Sequence, residues 1–480
     1  MNYRMIKYTL GWLLVFEAIF LTVPIITALV YGEMAGLAFG ATLLACLGVG
    51  ILAIYRRPKS TTLYSKDCFV VVALSWIVLS LFGALPFVIS GVTRSYVDAL
   101  FETVSGFTTT GATIFSDVEA LPKCVLMWRS FTHWVGGMGI LVFAMAFLPL
   151  GGAHNLNLMK AESTGPSVSK LVPRIRKTAI ILYTLYISLT FLQFLTLLVC
   201  KMNVFDAINT AFSTAGTGGF GFKNDSLASF SPAIQIVVAV FMLVFSINFN
   251  SYYLLIKLKP KDSFNTEVRV FFCVVLCAVT IITFDVMNGG IFTSVGEAIR
   301  HSLFSVASVI STTGFATADF NLWPGLSKTV IVLIMFIGGC AGSTAGGIKV
   351  SRIVILFKGM MRELGQIIHP NQVKKITIDD RPVEHEVVRS VNAYIVCFIM
   401  IFASSIALLS INEYDLVTNF TAVTATLNNV GPGLEAVGPT ANFGHFDIFS
   451  KLILTFDMLA GRLELFPMLI LFSPKTWKKR

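Results

Sequence analysis

The chain has 480 residues, of which 55% are hydrophobic and 13% are charged, and its mean hydropathy is +0.79. This composition excludes an ordinary soluble protein and predicts an integral membrane protein. The formal net charge of +10 would indicate nucleic-acid binding only if the basic residues formed a patch. The eight cysteines lie mostly in apolar runs without a CxxC pair, so we expect neither a disulfide framework nor a zinc site.

Ten apolar runs are long enough to cross a bilayer, which takes roughly 20 residues. The first run follows Arg4 and Lys7 but lacks a small-residue cleavage site, so we interpret it as a retained helix and not as a signal peptide. The predicted spans cover residues 8–30, 35–55, 68–91, 125–150, 179–200, 233–256, 270–287, 329–357, 391–409 and 448–472. An even number of spans puts both termini on one side.

Lysine and arginine residues predict which side that is. Of the 36 basic residues, 27 lie in the termini and at or after the ends of the even-numbered spans. The positive-inside rule therefore predicts cytoplasmic termini. Because orientation accounts for the basic excess, membrane lipid is the expected surrounding partner and no nucleic acid is expected.

Four apolar stretches that are too short to span lie after the third, fifth, seventh and ninth spans, and each ends in a glycine-containing segment. We interpret them as re-entrant half-helices. Their marker glycines, Gly111, Gly218, Gly314 and Gly431, are about a hundred residues apart. The predicted fold is all-α, with ten spanning helices and four pore half-helices in four pseudo-symmetric helix–pore–helix repeats around one central pore. The predicted units are an N-terminal two-helix unit (1–66) and repeats at 67–177, 178–267, 268–389 and 390–480.

The glycine segments predict a cation pathway. Irregular backbone at membrane depth must be buried in protein or line a water-filled cavity. Backbone carbonyls can replace the water around a potassium ion, and each half-helix would point its negative end at the cavity. One Thr-Gly pair alone would be an ordinary helix-ending turn, but four in matching units favour a pore. The predicted potassium ligands are Thr109, Thr110, Gly111, Thr217, Gly218, Gly219, Thr313, Gly314, Phe315, Asn429, Val430 and Gly431.

Over nearly its whole length the chain resembles the Trk/Ktr/HKT superfamily of potassium transporters, and specifically its bacterial TrkH/TrkG branch. The resemblance rests on the four glycine segments, on residues 128–139 (WRSFTHWVGGMG), on a small-residue break in the eighth span and on residues 460–467 (AGRLELFP). It implies potassium uptake across the bacterial inner membrane through single-glycine filters, without an organic cofactor on this chain. It also implies a homodimer and a cytoplasmic ring of nucleotide-binding RCK subunits similar to TrkA. Val430 departs from the Thr-Gly pattern, so this filter has no threonine hydroxyl directly before its glycine.

The break in the eighth span offers many backbone conformations, so it is either a hinge or a site of close helix packing. The family resemblance implies an intramembrane loop that obstructs the cytoplasmic side of the pore. Arg462 lies deep in the last span, where we expect it to contact carbonyls of this loop, the alternative being a side chain that extends to the cytoplasm. Glu464, two positions away, is not expected to pair with it within the helix. The predicted gate residues are Gly338, Gly339, Gly342, Ser343, Thr344, Ala345, Gly346, Gly347, Lys349 and Arg462.

Other functions fit the sequence less well. Residues 342–349 resemble a phosphate-binding loop, but Ile348 separates glycine from lysine and no strand precedes them. Residues 385–389 have Arg389 where a zinc-protease helix needs its second histidine, so we do not expect an enzyme. A secondary carrier that couples potassium or another solute to sodium or protons is the alternative function, although two inverted halves would then be expected in place of four units.

Several ionisable residues lie near the glycine segments. Glu102 precedes Gly111 by nine residues, and Asp98, Asp206 and Glu297 lie at or before the starts of the half-helices, where carboxylates favour the helix dipole, so we expect capping as their main role. Their field would secondarily concentrate cations at the outer mouth. We expect Arg129 and His133 to pair near the outer interface and assign them no role in transport.

Overall fold

The structure is a computed structural model that describes residues 1–58, 60, 63–139, 175–371 and 375–477. Within these ranges the elements of regular secondary structure are helices, apart from one short two-stranded hairpin. Six of the described helices are long and apolar enough to cross a membrane, and a seventh span is counted if a helix pair bent by 91° forms one span. The predicted all-helical membrane fold is confirmed, while the count of ten spans stays a prediction.

The elements follow in chain order. The helices are α1 (Tyr3–Phe20), α2 (Thr22–Tyr31), α3 (Gly36–Ile54), α4 (Ser65–Gly83), α5 (Leu85–Ile89), α6 (Tyr96–Phe107), α7 (Lys123–Gly137), α8 (Ile175–Val199), α9 (Val204–Ala215), α10 (Pro232–Phe245), α11 (Phe249–Ile256), α12 (Pro260–Ser263), α13 (Thr266–Asn288), α14 (Val295–Ile310), α15 (Gly325–Phe336), α16 (Val350–Ile368), α17 (His385–Leu409), α18 (Leu416–Leu427), α19 (Ile448–Arg462), α20 (Phe466–Phe472) and α21 (Pro474–Trp477). The strands β1 (Thr377–Ile378) and β2 (Arg381–Pro382) form an antiparallel hairpin between α16 and α17. The end of the predicted fourth span and most of the loop after it lie outside the described residues.

The helices α6, α9, α14 and α18, called the pore helices below, correspond to the four predicted half-helices. They have 12 to 16 residues, so at about 1.5 Å per residue they are too short to cross a hydrocarbon core of about 30 Å. The side chains of Ser95, Asn203 and Asp415 cap three of them by accepting a hydrogen bond from a backbone amide in the first turn. A loop and a second helix follow each pore helix, and these second helices are α7, α10, α15 and α19.

The second helices are interrupted more often than the sequence predicted. The sixth and tenth predicted spans were expected to be continuous, and that was wrong. The sixth bends by 91° between α10 and α11, where the side chain of Asn248 caps a new helix. The tenth breaks after Arg462, where Glu464 and Leu465 take positive φ values of 58° and 65°. Pro467 lies in the first turn of the helix that follows, and its missing amide suits a helix start and not a helix interior.

The N-terminal pair of helices packs against the first repeat. A Cβ atom on Gly50 of α3 would lie 3.0 Å from the carbonyl oxygen of Gly11 of α1, so these two backbones are in close contact. Buried side chains of α1, including Leu13 and Leu14, share one apolar cluster with residues of α4, α7 and α19. The N-terminal unit is therefore part of the core that supports the first and last pore helices.

Candidate ion pathway

The four pore helices end in the same backbone conformation. After each helix and its capping residue comes a left-handed residue, and two positions later a glycine also has positive φ. The left-handed residues are Thr109 (56°), Thr217 (55°), Thr312 (56°) and Asn429 (55°), and the glycines are Gly111 (82°), Gly219 (78°), Gly314 (85°) and Gly431 (101°). The residue between them donates its amide to a carbonyl of the helix, with N–O distances of 2.8 to 2.9 Å. The four segments therefore have one local fold, which needs a glycine at its end because L side chains avoid such φ values.

This common fold corrects the marker glycine of the second repeat. The sequence indicated Gly218 as the marker of this repeat. The other three markers have positive φ, and in this repeat the corresponding glycine with positive φ is Gly219. Gly218 instead takes the position of Thr110, Thr313 and Val430. The Thr-Gly pair that guided the choice is displaced by one residue in this repeat, because a glycine replaces the residue that precedes the marker elsewhere.

The four marker glycines close a ring. A Cβ atom added to any of them would collide with the carbonyl of the residue before the marker glycine of another repeat. These glycine and carbonyl partners are Gly111 with Gly218, Gly219 with Thr313, Gly314 with Val430, and Gly431 with Thr110. The contacts run from the first repeat through the second, third and fourth and back to the first. The chain thus brings four backbone segments together at one place, with carbonyl oxygens at each junction.

A cavity of about 110 Å³ lies on this ring and is lined by all four glycines, Gly111, Gly219, Gly314 and Gly431. Its other walls come mainly from the segments that follow the markers, within residues 112–118, 220–226 and 432–443. Gly218 is not among the lining residues, which agrees with the corrected register.

Other predicted ligands use their polar groups within the protein. The carbonyl of Phe315 accepts from the Ser308 hydroxyl at 2.6 Å, so it is turned back toward its pore helix. The hydroxyl of Thr110 accepts from the Asn429 side chain at 2.9 Å. The hydroxyl of Thr217 donates to a neighbouring carbonyl. Backbone carbonyls, more than side chains, are therefore the oxygens that the ring leaves available.

The small-residue break, residues 337–349 and called the loop below, lies beside this ring. The Gly346 amide donates to the Thr312 hydroxyl at 2.7 Å, two residues before the marker glycine of the third repeat. The predicted ligand set of this repeat began at Thr313 and did not include Thr312. A Cβ atom on Gly346 would also meet the carbonyl of Asn428 at the end of α18. The Thr344 hydroxyl donates to the Phe245 carbonyl at 3.1 Å. The loop therefore contacts the second, third and fourth repeats.

Arg462 joins the loop to the first repeat, and its predicted contact with a loop carbonyl is present. It donates to the carbonyls of Thr344, Gly136 and Gly137 at 2.7 to 2.8 Å. The side chain is buried and does not extend to the cytoplasm. Lys349 is also buried, and its ammonium donates to the Ala345 carbonyl. The positively charged side chains of Arg462 and Lys349 thus both donate hydrogen bonds to backbone carbonyls of the loop.

The remaining predicted gate residues fold the loop back on itself. Gly338 donates its amide to Ile348 at 2.9 Å, and Ser343 donates its hydroxyl to Cys340 at 2.6 Å. Gly342 and Gly347 have positive φ values of 73° and 67°. A Cβ atom on Gly339 would meet the side chains of Ala345 and Ser343. The loop is compact and held by its own hydrogen bonds as well as by its neighbours.

Comparison with known proteins decides the family. A family model described as "TrkH: Cation transport protein" matches residues 36–479. The chain belongs to this family. The Trk system potassium uptake protein TrkH of Salmonella typhimurium is 37% identical over 100% of both chains, and the protein TrkG of Escherichia coli is 33% identical over 99% of both. The crystal structure of the potassium transporter TrkH from Vibrio parahaemolyticus matches with a TM-score of 0.90 and 34% identity over 100% of both chains. The resemblance seen in the sequence is thereby confirmed.

In this TrkH-family chain the residues behind the ring differ from the prediction. Asp98, Asp206 and Glu297 lie in the first turns of their pore helices, as expected. Glu102 lies further along α6, is buried, and forms an ion pair with Arg129 at 2.7 Å, which the sequence did not predict. The expected pairing of Arg129 with His133 is therefore wrong.

His133 has separate partners on two repeats. Its Nε2 accepts from the Phe220 amide at 3.2 Å, so Nδ1 carries the proton and donates to the Gly106 carbonyl at 2.8 Å. The histidine thus connects the end of the first pore helix to Phe220, the residue after the marker glycine of the second repeat. Sequence spacing carried no signal for this contact, because the partners lie 27 and 87 positions away.

Glu464 also lies in a different setting from the one that the sequence predicted. Since α19 ends at Arg462, the helical geometry used to compare the two side chains does not apply. Glu464 forms an ion pair with Arg352 of α16, whose guanidinium also lies 3.9 Å from the centre of the Tyr394 ring. This pair joins the helix after the loop to the last break in the chain.

Proposed function

We propose that this chain takes up potassium ions across the bacterial inner membrane through a pore with four single-glycine filters. The observation that carries the proposal is the closed ring, in which each filter glycine packs on a carbonyl of the adjoining repeat. Four backbone segments with one conformation supply oxygens without fixed charge, which suits a dehydrated monovalent cation. The four pore helices also end at the ring, so their negative ends favour a cation there.

Potassium is the proposed ion because the full-length relatives are named potassium uptake proteins. The proposed orientation, with both termini in the cytoplasm, rests on the distribution of basic residues. A secondary carrier that couples potassium or another solute to sodium or protons is the alternative function.

The loop is the proposed gate. Its support is the set of hydrogen bonds that attach it to the second and third repeats, its close approach to the fourth, and the link through Arg462 to the first. A segment attached to all four repeats beside the filter would block a central path. Its small residues allow a second backbone arrangement at low steric cost.

Partners are proposed from the family resemblance. A second copy of the chain would cover apolar side chains exposed on α16, among them Phe357, Met361 and Leu364. A cytoplasmic ring of nucleotide-binding RCK subunits similar to TrkA would bind the cytoplasmic side of the chain and regulate the gate. Light scattering of the purified protein tests the dimer, and co-purification with such a ring tests the regulator.

The test of the filter is Gly314→Ser in sealed liposomes, with uptake of potassium and sodium measured separately. Gly314 has a φ of 85°, and its Cβ would meet the Val430 carbonyl and the Pro432 ring, so the substitution distorts the ring. Gly325→Ser is the matched control, since a Cβ there meets nothing within 4 Å. We expect potassium-preferring flux that loses its preference in Gly314→Ser alone. Flux that ignores Gly314→Ser, or that requires an organic solute, would overturn the pore and favour the carrier.

A further inference from the structure

We propose that the buried ion pair between Glu102 and Arg129 positions the first and second filters and sets how strongly the pore prefers potassium to sodium. This inference rests on the proposed function, because it concerns the selectivity of that same ring. The two residues are positioning residues: they act on the ion through the filter backbone and are not its ligands.

The ion pair lies inside the protein. The exposed fraction is 2% for the Arg129 side chain and 0% for Glu102, and Nε of Arg129 lies 2.7 Å from Oε1 of Glu102. Glu102 also accepts from the Ile114 amide at 2.9 Å and from the Thr113 hydroxyl at 3.0 Å. Both carboxylate oxygens accept hydrogen bonds, so the pair is held in one geometry.

The guanidinium spans two repeats. Nη2 of Arg129 donates to the Thr113 hydroxyl at 3.1 Å, two residues after filter glycine Gly111. Nη1 donates to the Gly221 carbonyl at 3.0 Å, two residues after filter glycine Gly219. The guanidinium carbon also lies 4.1 Å from the centre of the Phe220 ring. A single side chain therefore fixes the backbone that follows both filters.

This device belongs to one junction of the ring. Counted nine residues before the filter glycine, the position of Glu102 is taken by Thr210, Ser305 and Ala422 in the other repeats. These three side chains carry no charge. An ion pair thus anchors the junction between the first two repeats. The second, third and fourth repeats have no carboxylate at the position equivalent to Glu102.

Ion preference depends on this anchoring. Carbonyl rings distinguish potassium from sodium by cavity size or by the number and field of the oxygens. In either case, carbonyl oxygens that move toward the axis of the ring coordinate sodium, the smaller ion, better. Backbone held from behind by a rigid, hydrogen-bonded pair resists that relaxation.

The experiment compares the double variant Glu102→Gln/Arg129→Gln with wild type in sealed liposomes. Replacing both residues leaves no unpaired buried charge. The matched control is Arg269→Gln/Asp379→Asn, which removes an exposed ion pair at 3.8 Å whose members do not line the cavity. Uptake of potassium and of sodium is measured for each protein, and thermal unfolding in detergent is followed in parallel.

We expect the ratio of potassium to sodium uptake to fall roughly tenfold in the double variant, since hydrogen bonds to a charged group are worth about that factor. The control keeps the wild-type ratio. A folded double variant with the wild-type ratio would overturn the inference.

If the double variant does not fold, the ratio of potassium to sodium uptake is measured for Arg129→Lys instead. Lysine keeps the charge but loses the fork that reaches Gly221 and Thr113 together, so an unchanged ratio overturns the inference and a reduced ratio supports it. A wild-type protein without potassium preference overturns the proposed function, and this inference with it, before any variant is compared.

Discussion

We expect Arg462→Ala to raise ion flux by loosening the loop. In the wild type the guanidinium donates to three backbone carbonyls, and one of them, that of Thr344 at 2.8 Å, belongs to the loop. The other two, Gly136 and Gly137, hold the guanidinium at the end of α7. Alanine removes this connection between the loop and the first repeat without adding bulk.

The size of the effect follows from the bond that is lost. A hydrogen bond from a charged donor contributes about 1.5–3 kcal/mol, which corresponds to a factor of roughly 10 to 150 in the ratio of closed to open loop. The bonds from Thr344 to Phe245 and from Gly346 to Thr312 remain, so the loop is weakened and not released. Flux should therefore rise by up to about two orders of magnitude and should saturate when the open form predominates.

The assay is potassium uptake by purified protein in liposomes, without any regulator. Arg362→Ala serves as the control, because Arg362 lies far along α16 and pairs with the neighbouring Glu363. Arg462→Lys, which keeps the charge but offers fewer fixed donors, should fall between wild type and alanine. Unchanged flux in an Arg462→Ala protein that elutes and unfolds like wild type would refute the contact as a restraint on the gate.

Three further substitutions test the supporting structure. Gly136→Ala should lower stability by about 1–3 kcal/mol, because its Cβ would overlap the last carbonyl of the first pore helix; thermal unfolding in detergent measures the loss. Glu267→Ala should raise flux less than Arg462→Ala does, since it removes a carboxylate that accepts from one amide within the loop and from another just after it, and the liposome assay compares the two. Asp415→Ala should cost about 1 kcal/mol by removing a helix cap. Hydrogen bonds from the Thr418 side chain and amide lower the pKa of Asp415. The stability that this cap contributes is therefore present above about pH 4 and is lost as the pH falls through the lowered pKa. Unfolding measured at both acid and neutral pH detects this loss.

The features that repeat along the chain were predictable, and those that occur once were mostly not. Hydropathy marked the four pore helices, and the depth of Arg462 in an apolar run predicted its contact with the loop. The register of the second filter was wrong because Gly218 and Gly219 are both glycines, and only the backbone φ value distinguishes them. The ion pair of Glu102 with Arg129 left no periodic signal, since its members lie 27 positions apart on two helices.

The loop satisfies the backbone carbonyls that are left without helical partners where α10 and α15 end. A helix that ends inside a membrane leaves up to four carbonyls without helical partners. Here the loop supplies the donors: Thr344 donates to Phe245 at the end of α10, and the Cys340 amide donates to Ser246 at 2.9 Å. Ile348 donates in the same way to Phe336 at the end of α15.

Arg462 completes this arrangement at the end of α7, where it satisfies the last two carbonyls of that helix. The loop and the ends of these helices therefore stabilise each other, because the loop donates hydrogen bonds that the last carbonyls of the helices lack. In the proposed opening, the loop moves away, and the carbonyls at the ends of α10 and α15 lose their donors in the loop and must be hydrogen-bonded by water instead. If the loop is the gate, as proposed, its opening is therefore coupled to hydration of the path beside it. In this proposal the negative ends of α10 and α15 then face the passing ion, while the guanidinium of Arg462 stays at the end of α7.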